Sequence, residues 1–482
     1  MRCKGVHEMT NIYISNARKA AQLSLQGRRE LIGFGVSKTR LGICSVYKWQ
    51  EITLFVLQHN PNFKKKLFIC GLPIISWKRP VIEEPIEGRY VLERNREPRV
   101  YINVGSLPFY DNRSGIPRVA KELAAHGLHW REKVVVPIYA DPLKGQYRYA
   151  AHWALDKGCD ISQLKALHAF CDNGSDAPVT FASGDWLVHT MINPNEIAFE
   201  ADQFTQMREL GVKVGFVLHD LIAERSPDYF KHRDARNFAR WLRVLGQYDG
   251  IFAVSRSTLN DYLSWCQENA VSTFPQQIQG WFHLGADFVA HRSELTASDN
   301  EVLNQLRNHS FYLQVSTIEP RKGFAQLLSA FELLWKDNSQ LTLVLVGRQG
   351  WLVRGLCRRI SRHLENKKRL FWFSGLSDTA LNALYEQARC VVVASEAEGY
   401  GLSVVEGANH QKPLLVRDIP AFREVAPKGV HFFSGLEPQE LAAAIERMEK
   451  AISEHRIQPY ALCPQSWAQS FHAFVDLLQS GE

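Results

Sequence analysis

No Cys-x-x-Cys pair occurs in this 482-residue chain, and its nine cysteines are an odd number scattered along the length. That usage excludes a disulfide framework and a zinc ribbon, and it is the pattern of reduced thiols in a cytoplasmic setting. No apolar run approaches the roughly 20 residues that cross a bilayer. The N-terminus also lacks the short apolar core of a signal peptide, so neither a span nor a leader is expected. Positive charge is sparse where a nucleic-acid binder would need it. Residues 1–98 hold 17 Lys and Arg against 8 Asp and Glu, while the remainder holds 40 against 42. The basic character belongs to the head, and the body carries no nucleic-acid footprint.

What is present is ordinary globular composition, 45% hydrophobic and 11% aromatic, in a chain long enough for two or three domains. From Arg99 onward, apolar strand candidates alternate with amphipathic helix candidates, the signature of α/β architecture with parallel sheets. Strands are expected at Val100–Val104, Val134–Ile138, Trp186–Thr190, Val212–Leu218 and Ile251–Val254. A polar stretch near Ala286–Leu306 reads as a linker into a second unit. There the strands are Phe311–Val315, Leu341–Val346, Leu370–Phe373, Cys390–Ala394, Pro413–Val416 and Val430–Phe433. Three segments follow: a basic head at 1–98, a first doubly wound domain at 99–290 and a second at 291–482. In such sheets, ligands sit at the carboxyl ends of the strands.

The head has poor periodicity and is expected to be an irregular extension, partly disordered or at a membrane surface. Its apolar stretch Leu67–Trp77 is flanked by Lys64-Lys65-Lys66 and Lys78-Arg79. Such a segment suits either an anionic membrane surface or a short buried strand with solvated lysines.

Two segments of the second domain carry chemistry. Glu398-Gly-Tyr-Gly-Leu-Ser-Val-Val-Glu406 follows a strand and opens a helix at Leu402, placing two carboxylates eight positions apart. A helix N-terminus favours anions, so acids beside it suit a hydroxyl-rich ligand such as a sugar or ribose. The alternative is a surface loop whose acids complement the helix dipole. The second segment, Val315-Ser-Thr-Ile-Glu-Pro-Arg-Lys-Gly-Phe324, sets Arg321 and Lys322 after a strand and before a helix. A planar guanidinium fork and a compact ammonium there suit a diphosphate. The plain reading is a solvated dibasic pair.

Together these segments resemble the C-terminal domain of the retaining GT-B glycosyltransferases of family 4. The Lys322-Gly323 step and the E-x7-E spacing match that family, although the first glycine of its strand-end segment is absent. Leu345-Val-Gly347, Gly375-Leu-Ser-Asp378, Pro413 and Arg423-Glu424-Val425 extend the likeness over about 110 residues. In the first domain, Asp111-Asn-Arg-Ser-Gly-Ile-Pro-Arg118 is similar to the family's donor-phosphate loop, with a single Gly115. His219-Asp220-Leu-Ile resembles a segment of a subgroup rich in bacterial mannosyltransferases, with Ala223 in place of its proline. Val254-Ser-Arg-Ser257 repeats the strand-end pattern, and His283-Leu-Gly-Ala-Asp287 ends the domain much as in the family.

The resemblance implies a GT-B fold, two Rossmann-like domains facing a cleft, and a hexosyltransferase that retains anomeric configuration. It implies catalytic roles for His219, Asp220, Arg321, Lys322 and Glu398. Donor contacts would come from Gly115, Ser255, Arg321, Lys322, Gly347, Glu398, Gly399, Tyr400, Gly401, Leu402 and Glu406. Arg321 and Lys322 would neutralise the diphosphate, Glu406 would take the ribose, and Glu398 would hold hydroxyls of the transferred sugar. His219 would approach the sugar from the opposite domain. No cofactor or metal is expected; the co-substrate is a nucleotide-diphosphate sugar, GDP-mannose favoured and a UDP-sugar the alternative. No Asp-x-Asp occurs to support the metal-dependent GT-A class. The implied partners are a glycan or lipid-linked acceptor and no nucleic acid. The implied location is the cytoplasm, with peripheral contact at the inner membrane during O-antigen, capsule or exopolysaccharide synthesis. Two alternatives stay open: a nucleotide-sugar 2-epimerase of the same fold, and a non-catalytic transferase-like subunit.

Overall fold

The computed structural model describes Glu93 and residues 96–482, apart from 112–113, 142–145, 192–196, 288–294, 458–459, 461–464 and 481–482. It adds the backbone of five strands between residues 36 and 78, and backbone alone at 197–202. Two compact units emerge, one of them Met1–Arg89 with Pro108–Tyr110 and Asp141–Gly145, the other holding the rest.

The head is not irregular throughout. Strands β1 (Val36–Leu41), β2 (Cys44–Trp49), β3 (Ile52–Asn60), β4 (Lys64–Ile69) and β5 (Leu72–Lys78) form one antiparallel sheet in chain order. Leu67–Trp77, expected as a single element, is split between β4 and β5, with Ile69 paired to Leu72. Whether Leu67–Trp77 meets a membrane depends on side chains that lie outside the described residues.

The larger unit contains two parallel-sheet lobes. In the first, β6 (Val100–Asn103), β7 (Val135–Asp141), β8 (Gln146–Tyr149), β9 (Trp186–His189), β10 (Lys213–Leu218), β11 (Gly250–Ala253) and β12 (Ile278–Trp281) lie in the order β12-β11-β10-β9-β6-β7-β8. In the second, β13 (Phe311–Val315), β14 (Thr342–Val346), β15 (Leu370–Phe373), β16 (Cys390–Val393), β17 (Leu414–Arg417) and β18 (His431–Phe433) lie in the order β15-β14-β13-β16-β17-β18. Continuous runs such as Cys390–Val393 are buried throughout, because helices cover both faces of a parallel sheet. Strands β8 and β12 were not expected from sequence. Each has four residues and lies at a sheet edge, where a short apolar run gives little periodic signal.

The connections include α1 (Gly115–Gly127), α2 (Arg256–Glu268), α3 (Ala297–Leu306), α4 (Phe324–Lys336), α5 (Arg354–Ser361), α6 (Asp378–Gln387), α7 (Leu402–Asn409) and α8 (Pro420–Val425), with α9 (Trp467–Gln479) further on. The stretch expected as linker therefore holds α3. It is mostly solvated and rests on a capping box in which Thr296 accepts from the Asp299 amide and Asp299 accepts from the Thr296 amide. A cap needs no apolar stripe, which is why hydrophobic patterning passed over it.

Each lobe has a switch point where the strand order reverses, at β6 in one and β13 in the other. Ligand crevices of open α/β sheets form outside the strands' carboxyl ends at such points. Helix α9 leaves the second lobe and packs on the first. Phe474 is fully buried, its ring 5.5 Å from Phe252 and 5.4 Å from Phe282, and Asp287 accepts a hydrogen bond from the Trp467 amide. Among the described residues no helix is long and apolar enough to cross a membrane.

Phe474→Ala is expected to cost about 3–5 kcal/mol of unfolding free energy in urea titrations, the range for a truncated buried phenylalanine. A loss below about 1 kcal/mol, the scale of one buried methylene, would show that α9 is not integral to the first lobe's core.

Candidate active site

The second lobe supplies a buried charge cluster. After β13 the chain makes a single 3-10 turn at Pro320–Lys322, then passes through Gly323 in the left-handed region, φ +69°, into α4. A Cβ at Gly323 would sit 2.1 Å from the Ala394 carbonyl oxygen. Only glycine lets this turn press against the end of β16, and that approach carries Arg321 and Lys322 to Glu398. Arg321 Nη1 donates to the Ala397 carbonyl at 2.9 Å and to Glu398 Oε2 at 3.0 Å. Lys322 Nζ donates to the other oxygen, Glu398 Oε1. Glu319 Oε2 lies 3.2 Å from Arg321 Nε as a second anion. Both basic side chains are only 12% exposed, so this is not a solvated dibasic pair.

Burial opposes ionisation of Glu398, but Lys322 and then Arg321 overcome it and hold the carboxyl down to about 2. For Arg321, burial is outweighed by Glu398, Glu319 and Asp220, and its value rises. Burial, with Arg321 alongside, holds Lys322 below its ordinary value. Burial also pushes Glu319 up.

Glu406 lies within α7 and is buried. Arg118 of α1, from the other lobe, donates to its Oε1 at 2.7 Å, and the Tyr385 hydroxyl of α6 donates to Oε2 at 2.9 Å. Burial raises this carboxyl, with Arg118 opposing. The two acids of the E-x7-E loop therefore have different partners, one a strand-end cation pair and the other an interlobe arginine.

The first lobe faces this wall. Gly115 is the first residue of α1, whose first turn has no side-chain cap and no acid; its amides lack intrahelical partners and suit an anion. His219 directly follows β10 and is buried, and burial holds its ring below its ordinary value. Its Nε2 is 2.8 Å from the Thr190 carbonyl. A neutral ring must donate there, which leaves Nδ1 as an acceptor. Asp220 accepts from the Ile222 amide at 3.0 Å.

The lobes approach closely at Gly399, where an added Cβ would lie 1.7 Å from the His219 carbonyl oxygen. The Gly399 carbonyl in turn accepts from Ser255 Oγ at 2.5 Å and from Thr258 Oγ1 at 3.0 Å. The Tyr400 hydroxyl donates to the Leu284 carbonyl at 2.8 Å. Glu424 accepts from the Arg256 and Ser257 amides at 2.7 and 2.8 Å, capping α2 from across the interface.

Between these walls is a cavity of about 590 Å³, lined from both lobes. Gly115, His219, Asp220, Arg321, Lys322, Gly347, Glu398, Gly399, Tyr400, Gly401, Leu402 and Glu406 all border it. Ser255, expected at the donor, does not. It is fully buried behind the wall, capping α2 through the Thr258 amide and holding Gly399. Arg118, Glu319 and Tyr385 were not singled out from sequence. Arg118 lies three residues beyond Gly115 and so shares its helix face, the one local sign available. Tyr385 had none, since only the packing of α6 brings it to Glu406.

Two parallel-sheet lobes with their strand ends facing one cavity define the GT-B architecture. Residues 298–461 match the model of the glycosyl transferases group 1 family. The chain is 34% identical over 358 residues to the serotype-specific mannosyltransferase WbdA of Escherichia coli, covering 72% of this chain and 41% of WbdA. It thus spans about two fifths of that relative's length. The O-antigen chain mannosyltransferase RfbU of Salmonella typhimurium is 23% identical over 155 residues, 32% of this chain and 43% of RfbU. Among solved structures, HepE of Anabaena in complex with UDP-glucose superposes with a TM-score of 0.51 at 16% identity, covering 80% of this chain and 97% of HepE. At that identity the likeness concerns the fold.

Glu398 is depressed from 4.5 to about 2 in the folded chain. A depressed carboxyl stabilises the fold fully above its unfolded value and loses that contribution as pH falls toward its folded one. Glu398→Gln should therefore lower the urea midpoint at pH 6, with the gap to wild type closing as pH drops from about 4.5 toward 2. A gap that stays constant across that window would contradict an ionised, doubly paired Glu398.

Proposed function

We propose that this chain transfers a mannosyl residue from a nucleotide-diphosphate donor, GDP-mannose favoured, to a growing glycan or lipid-linked acceptor with retention of configuration. The product would be an O-antigen, capsule or exopolysaccharide, made at the cytoplasmic face of the inner membrane. The carrying observation is that Arg321, Lys322 and Glu398 share one cavity with the α1 N-terminus and His219. The mannosyl preference draws on the His219-Asp220-Leu-Ile segment and on the likeness to WbdA.

The charge cluster suits this chemistry. Arg321 and Lys322 are already desolvated and paired with Glu398. An entering diphosphate exchanges one anion for another on the same donors, so the cations are not stripped of water again. Glu398, released from them, can turn its oxygens to sugar hydroxyls. As the glycosidic bond breaks, negative charge grows on the leaving phosphate, and Arg321 and Lys322 meet it there. Amides at the α1 N-terminus add to that field. Neutral His219 offers Nδ1 as an acceptor for a sugar hydroxyl.

Retention by double displacement requires a carboxylate nucleophile with an acid/base partner about 5–5.5 Å away. Glu398 is held by two cations and Glu406 by Arg118 and Tyr385, so neither is poised as a nucleophile. Departure and attack on one face fit better, with a leaving phosphate oxygen taking the acceptor's proton. Closure of the lobes around both substrates excludes water and limits hydrolysis.

Arg321→Ala and Lys322→Ala should each lower kcat by about 10²–10³-fold, the scale for removing one donor to a developing anion. Donor KM should change less, because the charge they meet grows in the transition state. Unchanged turnover in both would remove the diphosphate assignment. Glu406→Ala should weaken donor binding, read by calorimetry with GDP, UDP and dTDP, and the tightest of the three names the donor base. Conversion of a donor sugar without acceptor would assign an epimerase instead.

A further inference from the structure

The charge balance of the body conceals one local excess. Residues 351–369 contain seven Arg and Lys against a single acid, Glu365. Glu365 is taken by Arg369 at 2.8 Å, and nearby Glu332 is shared by Arg359 and His363. Arg354, Arg358, Arg362, Lys367 and Lys368 remain exposed, and none has an ion-pair partner among the described residues. Cys357 and Ile360 anchor α5 to the lobe, so its arginines face outward. Leu364, 86% exposed, borders the same shallow depression as Arg358, Arg359 and Arg362. Leu352, 58% exposed and held at φ +57°, precedes the helix.

We propose that α5 and the turn after it form a docking surface for an anionic lipid membrane. Cations at this density are attracted to acidic headgroups, and exposed leucines among them can enter the acyl boundary. A phosphate polymer would use the arginines but gains nothing from Leu352 and Leu364. The surface begins at the rim of the cavity, since Arg348 and Trp351 line it and the Trp351 indole donates to the Tyr229 carbonyl across the lobes at 2.7 Å. Docking here brings the cavity mouth beside the bilayer, where a lipid-linked acceptor is presented. That consequence rests on the proposed transferase reading; the docking itself does not.

The test is flotation of the full chain with phosphatidylcholine vesicles, with and without phosphatidylglycerol. Binding is expected only with the acidic lipid and should fall at high salt. Each cation near the surface is worth roughly five-fold in partitioning. Arg358→Gln with Arg362→Gln should therefore weaken binding about 25-fold, and Leu364→Ser should weaken it independently, which keeps the test intact should the double variant misfold. Replacing Lys64, Lys65 and Lys66 by Gln should leave binding largely in place. Equal binding to neutral vesicles would overturn the proposal, as would unchanged binding in the patch variants, loss confined to the head variant, or preference for RNA over vesicles. Donor affinity of the patch variants should match wild type. Failure of transfer with intact vesicle binding would count against the function and leave the docking surface standing.

Discussion

Two cations taken out of water at the end of a parallel strand need an anion, and the structure around the cavity follows from that need. Arg321 and Lys322 cannot be buried alone, and Glu398 satisfies both with its two oxygens. The pairing depends on Gly323, because any side chain there would keep the basic turn away from β16. It also leaves the charge exchangeable. In the proposed function the same cations would exchange this carboxylate for a phosphate, and the folded chain holds no uncompensated charge there meanwhile.

The second constraint is how the lobes meet. Gly399 lies against the His219 carbonyl, while Ser255, Thr258 and Tyr400 engage the loop from the first lobe or reach into it. Glu424 caps α2 from across the interface, and Arg118 crosses to Glu406. These contacts make the E-x7-E loop a joint as well as a wall. Its glycines give the close approach, and its acids divide between the strand-end cations and the interlobe arginine. Helix α9 ties the ends together by returning from the second lobe to the first, with Phe474 in the first lobe's core.

Much of the fold was legible because parallel sheets buried on both faces write themselves as apolar runs. Cys390–Val393 and Phe311–Val315 appear in the structure essentially where the sequence places them. The elements that escaped carried weaker signals. Edge strands β8 and β12 have four residues each, α3 is a polar capped helix, and the head's strands lack regular alternation. In the site, strand-end glycines, the basic pair and the two glutamates were readable as motifs. Their partners were not, because Arg118 and Tyr385 reach Glu406 only through the packing of α1 and α6.

The sequence by itself determined two doubly wound lobes and many of the residues that border the cavity, because these depend on local patterning and on spacing within one strand-turn-helix unit. Tertiary structure alone decided which acid meets which cation, that Ser255 stands behind the wall, and that α9 belongs with the first lobe. Those outcomes depend on approaches of a few ångströms between segments some 75 to 290 residues apart, and no local pattern encodes such distances. Hence Glu398 and Glu406 look like a matched pair in the sequence, yet have separate partners and opposite pKa shifts in the folded chain.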